Sequence, residues 1–213
     1  MDKLFIFGCG GYAIEILDMI LLLEKQKDFR YKFAGFIADR EFVEADFAQR
    51  KDYLGNITES HIAKGDSVVL AIAKNLNFKQ KMAENFRQMG VNFPNIIHPS
   101  CYVHTKDIGE GNIIEIYCGV SRDAKIGSFN LLNGMNIMGH HASIGDFNSL
   151  NGYVSMHGYA QVGDKNIFGI SSCLLPKAQI GNNNIIAPGS IIYKRFRDDN
   201  LISGNPATAQ AKI

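Results

Sequence analysis

The chain has 213 residues, 46% hydrophobic and 20% charged, which suits one large or two small domains with a real core. Its net charge of +1 gives no reason to expect a nucleic acid or an acidic membrane as partner, and the densest basic cluster, Lys194-Arg195-Phe196-Arg197, is too short for such a footprint. No apolar run is long enough for a membrane span, and the apolar part of Met1 to Phe7 is too short for a signal peptide. Cys9, Cys101, Cys118 and Cys173 form no CxxC pair, so the expectation is a cytoplasmic protein with reduced thiols and no zinc or redox dithiol.

Residues 1–95 read as a small parallel α/β unit. Leu4-Phe5-Ile6-Phe7 predicts a buried strand, and Ile14 to Leu23 predicts a helix. Phe33 to Ala38 predicts a second strand ending at Asp39-Arg40, and Ser67 to Ala73 a third. Asn77 to Met89 predicts another helix, followed by a short strand from Val91 to Ile97. Between the first strand and helix lies Gly8-Cys9-Gly10-Gly11-Tyr12-Ala13, which matches the dinucleotide fingerprint in its alanine form. Backbone N–H groups at such a helix start favour a phosphate, and Asp39 falls where a carboxylate can meet a ribose hydroxyl. The competing reading is a tight turn without a ligand.

Residues 96–194 follow a different rule. Every sixth residue from Ile108 to Ile192 is apolar, fifteen in succession. At this composition, chance gives such a run about once in a hundred thousand trials for a fixed frame. Gly109, Gly127, Gly145, Gly163 and Gly181 add an eighteen-residue period, with Asp or Asn often following. Three six-residue units per repeat describe a triangular solenoid of short strands, with the apolar residue inward and a corner between strands. The glycines are expected to supply the backbone angle of one corner. The expected β-helix runs from about Ile97 to Ile192, roughly five coils, and 195–213 is expected to be a C-terminal tail.

Together, Phe7-Gly8-Cys9-Gly10-Gly11-Tyr12, Gly35-Phe36-Ile37-Ala38-Asp39, Ile97-His98-Pro99, Gly139 to Phe147 and Ser203-Gly204-Asn205-Pro206-Ala207 resemble the NeuD/PglD-like sugar acyltransferases of the hexapeptide-repeat superfamily. The resemblance covers nearly the whole chain. It implies a Rossmann-like domain before a left-handed parallel β-helix. It also implies a homotrimer with active sites between neighbouring helices, and transfer of an acetyl group from acetyl-CoA to a nucleotide-sugar. Gly10, Gly11, Tyr12, Asp39 and Arg40 match the positions that bind the sugar nucleotide. His140 matches the general base, an imidazole being suited to accept the acceptor's proton. Gly158 matches the backbone donor to the thioester carbonyl. Ser149, Ile170, Pro188 and Lys194 fall at positions that line the CoA.

Two departures from the family pattern stand out. The residue after the base is usually Asp or Glu, and here it is His141; a histidine near the thioester is replaced by Ser149. His141, or His157 with the coils shifted, is the alternative base. No carboxylate or cysteine completes a metal set with the three histidines, so no metal is expected. N-acetylation of a nucleotide-linked amino sugar leads the readings, with O-acetylation of a sialic acid or related sugar as the alternative. An NAD-dependent oxidoreductase and a catalytically idle β-helix scaffold are the readings from other classes.

Overall fold

The computed structural model describes residues 2–211, which divide into two compact units, with the division between Ile96 and Ile97. No helix among the described residues is long and apolar enough to cross a membrane.

The first unit is built on three parallel strands. They are β1 (Asp2–Phe7), β2 (Tyr31–Ile37) and β3 (Ser67–Leu70), in the order β2-β1-β3. Leu4, Phe5, Ile6 and Phe7 are all buried, as a central parallel strand covered on both sides requires. Helix α1 (Gly11–Leu23) buries Ala13, Ile16, Leu17, Ile20 and Leu23 at helical spacing. Helix α3 (Leu76–Gln88) starts at Asn75, whose side chain accepts the Phe78 N–H at 3.1 Å. A 3₁₀ turn at Arg40–Phe42 and the short helix α2 (Ala45–Ala48), neither foreseen, follow β2. The strand expected over Val91 to Ile97 shrinks to Ile96–Ile97, with Asn92 bridging to Ser67.

The second unit is a parallel β-helix. Its two-residue strands form three faces. The first contains Ile113–Ile114, Leu131–Leu132, Ser149–Leu150, Ile167–Phe168 and Ile185–Ile186; the second runs from Tyr102–Val103 to Ile191–Ile192; the third runs from Asp107–Ile108 to Arg195–Phe196. Coils stack at an eighteen-residue interval, as in Leu132↔Leu150 and Leu150↔Phe168. From Ile114 to Ile192 every sixth residue is at most 5% exposed, so the periodic set is the core.

The helix does not stop at 194. Arg195–Phe196 continue the third face, and Asn200–Gly204 continue the first and pair with Ala207–Ala211 in an antiparallel hairpin. The pairing Gln179↔Arg195 spans sixteen residues instead of eighteen. The last corner is two residues shorter, which breaks the six-residue frame after Ile192 and made this coil read as a tail. Residues 212 and 213 of that tail lie outside the described residues.

The corners also differ from expectation. Gly109, Gly127, Gly145, Gly163 and Gly181 are not the left-handed residues. Those fall two positions later and at every corner: each sixth residue from Gly111 to Gly189 has positive φ, and the twelve between, Tyr117 to Asn183, are not glycine. A left-handed residue with a Cβ costs about 1–2 kcal/mol. The strain is offset by backbone bonds between coils: Phe147 N–H to Ser128 O at 2.9 Å, Tyr159 N–H to His140 O at 3.1 Å, Lys165 N–H to Asp146 O at 2.9 Å. The eighteen-residue glycines serve close approach instead. A Cβ on Gly127 would lie 2.5 Å from Gly145 O and 2.3 Å from Asp146 Oδ1. That carboxylate accepts the Ser128 N–H at 2.7 Å, and Asp164 and Asn182 repeat the contact on later coils.

Inside the same corner runs a ladder of buried asparagines, Asn112, Asn130, Asn148, Asn166 and Asn184, each at most 1% exposed. From Asn112 to Asn166, each Oδ1 accepts both the backbone N–H and the side-chain amide of the next asparagine in the ladder, at 2.8–3.1 Å. Asn148→Ala strips the partner from the Asn166 N–H and from Gly163 O, and leaves Asn130 Oδ1 with the residue 148 backbone N–H alone. Each unsatisfied buried group costs about 1–3 kcal/mol, so the variant is expected to lose about 2 kcal/mol or more, measured by denaturant unfolding.

Candidate active site

The parallel sheet of the first unit sends its three strands out at one carboxyl edge, where ligands of such sheets bind. After β1, Gly8 has φ +146°, and a Cβ there would lie 2.9 Å from the Ala71 Cβ, so only glycine lets the loops after β1 and β3 meet. Gly10 caps α1 in an extended conformation without a side-chain cap, and the first turn carries no acid. A Cβ on Gly10 or Gly11 would meet nothing within 4 Å. The helix start is open, and its N–H groups and dipole favour an anion. Tyr12 is half-buried in that first turn. Cys9 points its thiol at Phe42 O, 3.1 Å away; burial first and Glu44 second push it above the ordinary thiol range.

Asp39 and Arg40 follow β2 at the same edge but face different space. Arg40 forks onto Glu59, at 2.7 and 3.4 Å, and lines a cavity of about 590 Å³ with Tyr53, Leu54 and Gly55. The Glu59 carboxyl lies below its ordinary range, held by the Asn56 N–H and then by Arg40. Asp39 lines a separate cavity of about 520 Å³ with Asn56, Thr58 and Asn85. Exposed Lys74, in the loop after β3, is a cation of this edge that sequence reasoning missed. Its position just past a predicted strand was the available signal.

In the β-helix, one corner gathers the histidines. It lies between the second and third faces and carries Arg122-Asp123, His140-His141, His157-Gly158-Tyr159 and Lys177 on successive coils. His140 Nδ1 lies 3.2 Å from His141 Nδ1. The His141 ring stacks on Tyr159 at 4.7 Å and 16°, and His140 meets the same tyrosine edge-on at 5.3 Å. A Cβ on Gly158 would lie 2.8 Å from both Cε1 and Nε2 of His140, so His140 rests over Gly158 with Nε2 toward it. The Gly158 N–H makes no hydrogen bond among the described residues. The corner therefore offers a ring nitrogen and a free backbone donor side by side, on exposed backbone held by the stack.

Of the other expected site residues, Lys194 lies on this same corner at the final coil, its ammonium over Tyr193 and Phe196. Ile170 and Pro188 lie on the corner between the first and second faces, one coil apart, where the Gly189 N–H bonds Ile170 O. Ser149 is not at either corner: it is 3% exposed, in a strand of the first face. His157 is exposed beside Gly158, one coil above Gly139. No group of three or more His, Cys, Asp or Glu among the described residues forms a metal cluster.

Gly158→Ala tests the packing of this corner. The added methyl is expected to displace the His140 ring and break its contact with His141, read from histidine side-chain NMR. Unfolding free energy is expected to change by only about 1 kcal/mol, because the position is on the outside of the coil.

Comparison with known proteins fits this layout. Residues 3–86 match the PglD N-terminal domain. No curated protein matches the sequence. Among solved structures, a histidine-to-asparagine variant of perosamine N-acetyltransferase from Caulobacter crescentus, with CoA and GDP-perosamine, is 20% identical, with a TM-score of 0.83 over 100% of this chain and 98% of that one. The acetyltransferase domain of PglB from Neisseria gonorrhoeae, with acetyl coenzyme A, is 17% identical, with a TM-score of 0.84 over 98% of both chains. WeeI from Acinetobacter baumannii is 19% identical, with a TM-score of 0.84 over 99% of this chain and 100% of that one. Residues 3–86 thus match the PglD N-terminal domain, and the chain as a whole, an α/β unit followed by a parallel β-helix, has the fold of these structures.

Proposed function

We propose that the protein is an acetyl-CoA-dependent N-acetyltransferase acting on the amino group of a nucleotide-linked sugar. The observation that carries this reading is the pairing of His140 Nε2 with the unbonded Gly158 N–H at one corner of the β-helix. Acyl transfer from a thioester needs both a base for the acceptor's proton and a donor for the developing oxyanion. His140 takes a proton from the attacking amine through Nε2. Gly158 N–H stabilises the oxyanion on the acetyl carbonyl, an interaction worth about 3 kcal/mol in such sites. The tetrahedral intermediate then expels the CoA thiolate, and the imidazolium returns the proton. His141 is the orienting residue rather than the base, since its Nδ1 is engaged by His140 and its ring is stacked on Tyr159.

The cofactor reading has its own support. His140 and Lys194 share one corner, three coils apart, or about 14 Å at the spacing of stacked strands. That suits an extended pantetheine arm with its thioester at His140 and its phosphates near Lys194. Ile170, Pro188 and Ser149 belong to other parts of the triangle, so they reach the same CoA only from a neighbouring β-helix. A homotrimer supplies one, and the second face and its leading corner expose the apolar residues such packing needs: Tyr102, Tyr117, Ile137, Tyr153 and Ile170, each at least 50% exposed. The acceptor's nucleotide is assigned to the carboxyl edge of the first unit. Its pyrophosphate sits at the Gly10-Gly11-Tyr12 helix start, and Asp39 and Arg40 flank it. Use of acetyl-CoA goes with a cytoplasmic location.

The test is CoA release from acetyl-CoA with a panel of UDP-, dTDP- and GDP-amino sugars and their hydroxyl counterparts. Turnover with an amino sugar is expected, and His140→Ala is expected to lower kcat by about 10³-fold. Turnover with hydroxyl acceptors alone, or a His140→Ala enzyme as active as wild type, would overturn the reading.

A further inference from the structure

We infer that Cys101 and Cys118 form a modification site, at which a hydroperoxide converts the two thiols to a disulfide that ties the first strand of the second face to the strand stacked on it. Both are free thiols in this structure. Neither belongs to the histidine corner; they lie at the start of the second face.

No sequence spacing marks the pair. The eighteen-residue period sets Cys118 against Ser100. The register of the first coil is different: Tyr102 pairs with Gly119 and Val103 with Val120, seventeen residues apart. Cys101 and Cys118 each stand one residue before these partners, so they stack directly, and the Tyr102 N–H donates to Cys118 O at 2.9 Å. Stacked strands lie about 4.8 Å apart, inside the roughly 4.4–6.8 Å between Cα atoms that a disulfide spans.

The side chains meet as well. Cys118 is buried, and Cys101 packs against the same apolar core. The Cys101 thiol donates to Glu115 O at 2.8 Å, and the Cys118 thiol to Asn133 O at 3.2 Å. These two carbonyls are eighteen residues apart, so the side chains share one orientation and one sulfur lies over the other. The sulfurs are also in hydrogen-bond contact with each other. That contact draws Cys101 below the ordinary thiol range against its desolvation, and with burial it pushes Cys118 above that range. Cys101 is the accessible member. It is half-buried, and Tyr102–Val103 is the terminal strand of its face, so no further strand of that face lies beyond it.

The roles follow from this placement. The Cys101 thiolate attacks a peroxide oxygen: an S–O bond forms, the O–O bond breaks, and the leaving oxygen takes up a proton. The Cys118 thiol then attacks the Cys101 sulfenic acid: the S–S bond forms, the S–O bond breaks, and water leaves with the Cys118 proton. Two electrons pass from the sulfurs to the peroxide. The other two thiols are not placed for this. Cys9 donates to Phe42 O and is held above the ordinary range by burial first. Cys173 precedes the inward Leu174 on its strand and so faces outward, four strands along the face from Tyr102–Val103.

The test treats the full chain with hydrogen peroxide, maps its thiols by mass spectrometry of a non-reduced digest, and then follows amide exchange. A disulfide between Cys101 and Cys118, reversed by dithiothreitol, is expected. Exchange of the Tyr102 and His104 N–H groups, which bond Cys118 O and Val120 O, is expected to slow by at least about tenfold. Cys118→Ser is the control, because Ser172 and Ser190 fill the same column of the tube and are buried there. In that variant Cys101 is expected to stop at its oxygen acids. The wild-type digest decides by itself if the variant fails to fold. Wild-type Cys101 oxidised to sulfinic acid without a disulfide, bonded to any other cysteine, or left unreacted overturns the inference. So does a Cys101–Cys118 disulfide that leaves those two amides exchanging as before.

Discussion

Each coil of the β-helix holds its shape only by lying in register on the coil before it. The strands are two residues long, far too short to persist alone, and nearly every backbone donor in them points to a carbonyl one coil away. The asparagine ladder extends that register into the side chains. So does the Asp/Asn column beside it, where each Oδ1 takes the backbone N–H of the coil below. Register is then overdetermined: a slip by one residue would place an asparagine in the core and a leucine in the corner. The left-handed residues at every corner belong to the same economy, since their local strain is offset by hydrogen bonds that exist only between stacked coils.

The candidate site is a by-product of this geometry. A position eighteen residues away in sequence is a neighbour in space, so His140 meets Gly158 and His141 meets Tyr159 with no loop to position them. Chemistry is written onto the outside of the corner while the inside stays constant. Ala124, Ala142, Ala160 and Ala178 fill the inner side of the same corner on successive coils, all at most 1% exposed. That small, invariant filling leaves the outer residues free to change without disturbing the stack.

Much of this could be read in the sequence because a solenoid repeats its own evidence. Fifteen apolar residues at one spacing define strand, face and core together, and burial matches that series from Ile114 to Ile192. The buried strands and glycine turn of the first unit were equally plain. What failed was whatever the period does not encode. The five glycines signalled a corner but not its cause: crowding by the next coil rather than backbone angle. Left-handed tyrosines, lysines and histidines carry no sequence mark, since ordinary residues are tolerated there only by inter-coil bonding. The shortened corner after Ile192 hid the last coil. That Ser149 lies on a buried strand face depends on packing that spacing alone does not reveal. The split of Asp39 and Arg40 between two cavities likewise follows from the Arg40–Glu59 pair, nineteen residues apart.

A stack of this kind unravels from its ends. Each coil is secured by two neighbours, except the terminal ones, and stability is close to a sum of nearest-neighbour terms. The histidine corner spans residues 140 to 159, with coils on either side in all three faces. It therefore lies where fraying from either terminus has the furthest to travel. The hairpin Asn200–Gly204/Ala207–Ala211 also shields one strand edge of the final coil. Local breathing is thereby confined to the extremities, and the reacting groups keep their mutual placement until the tube itself comes apart.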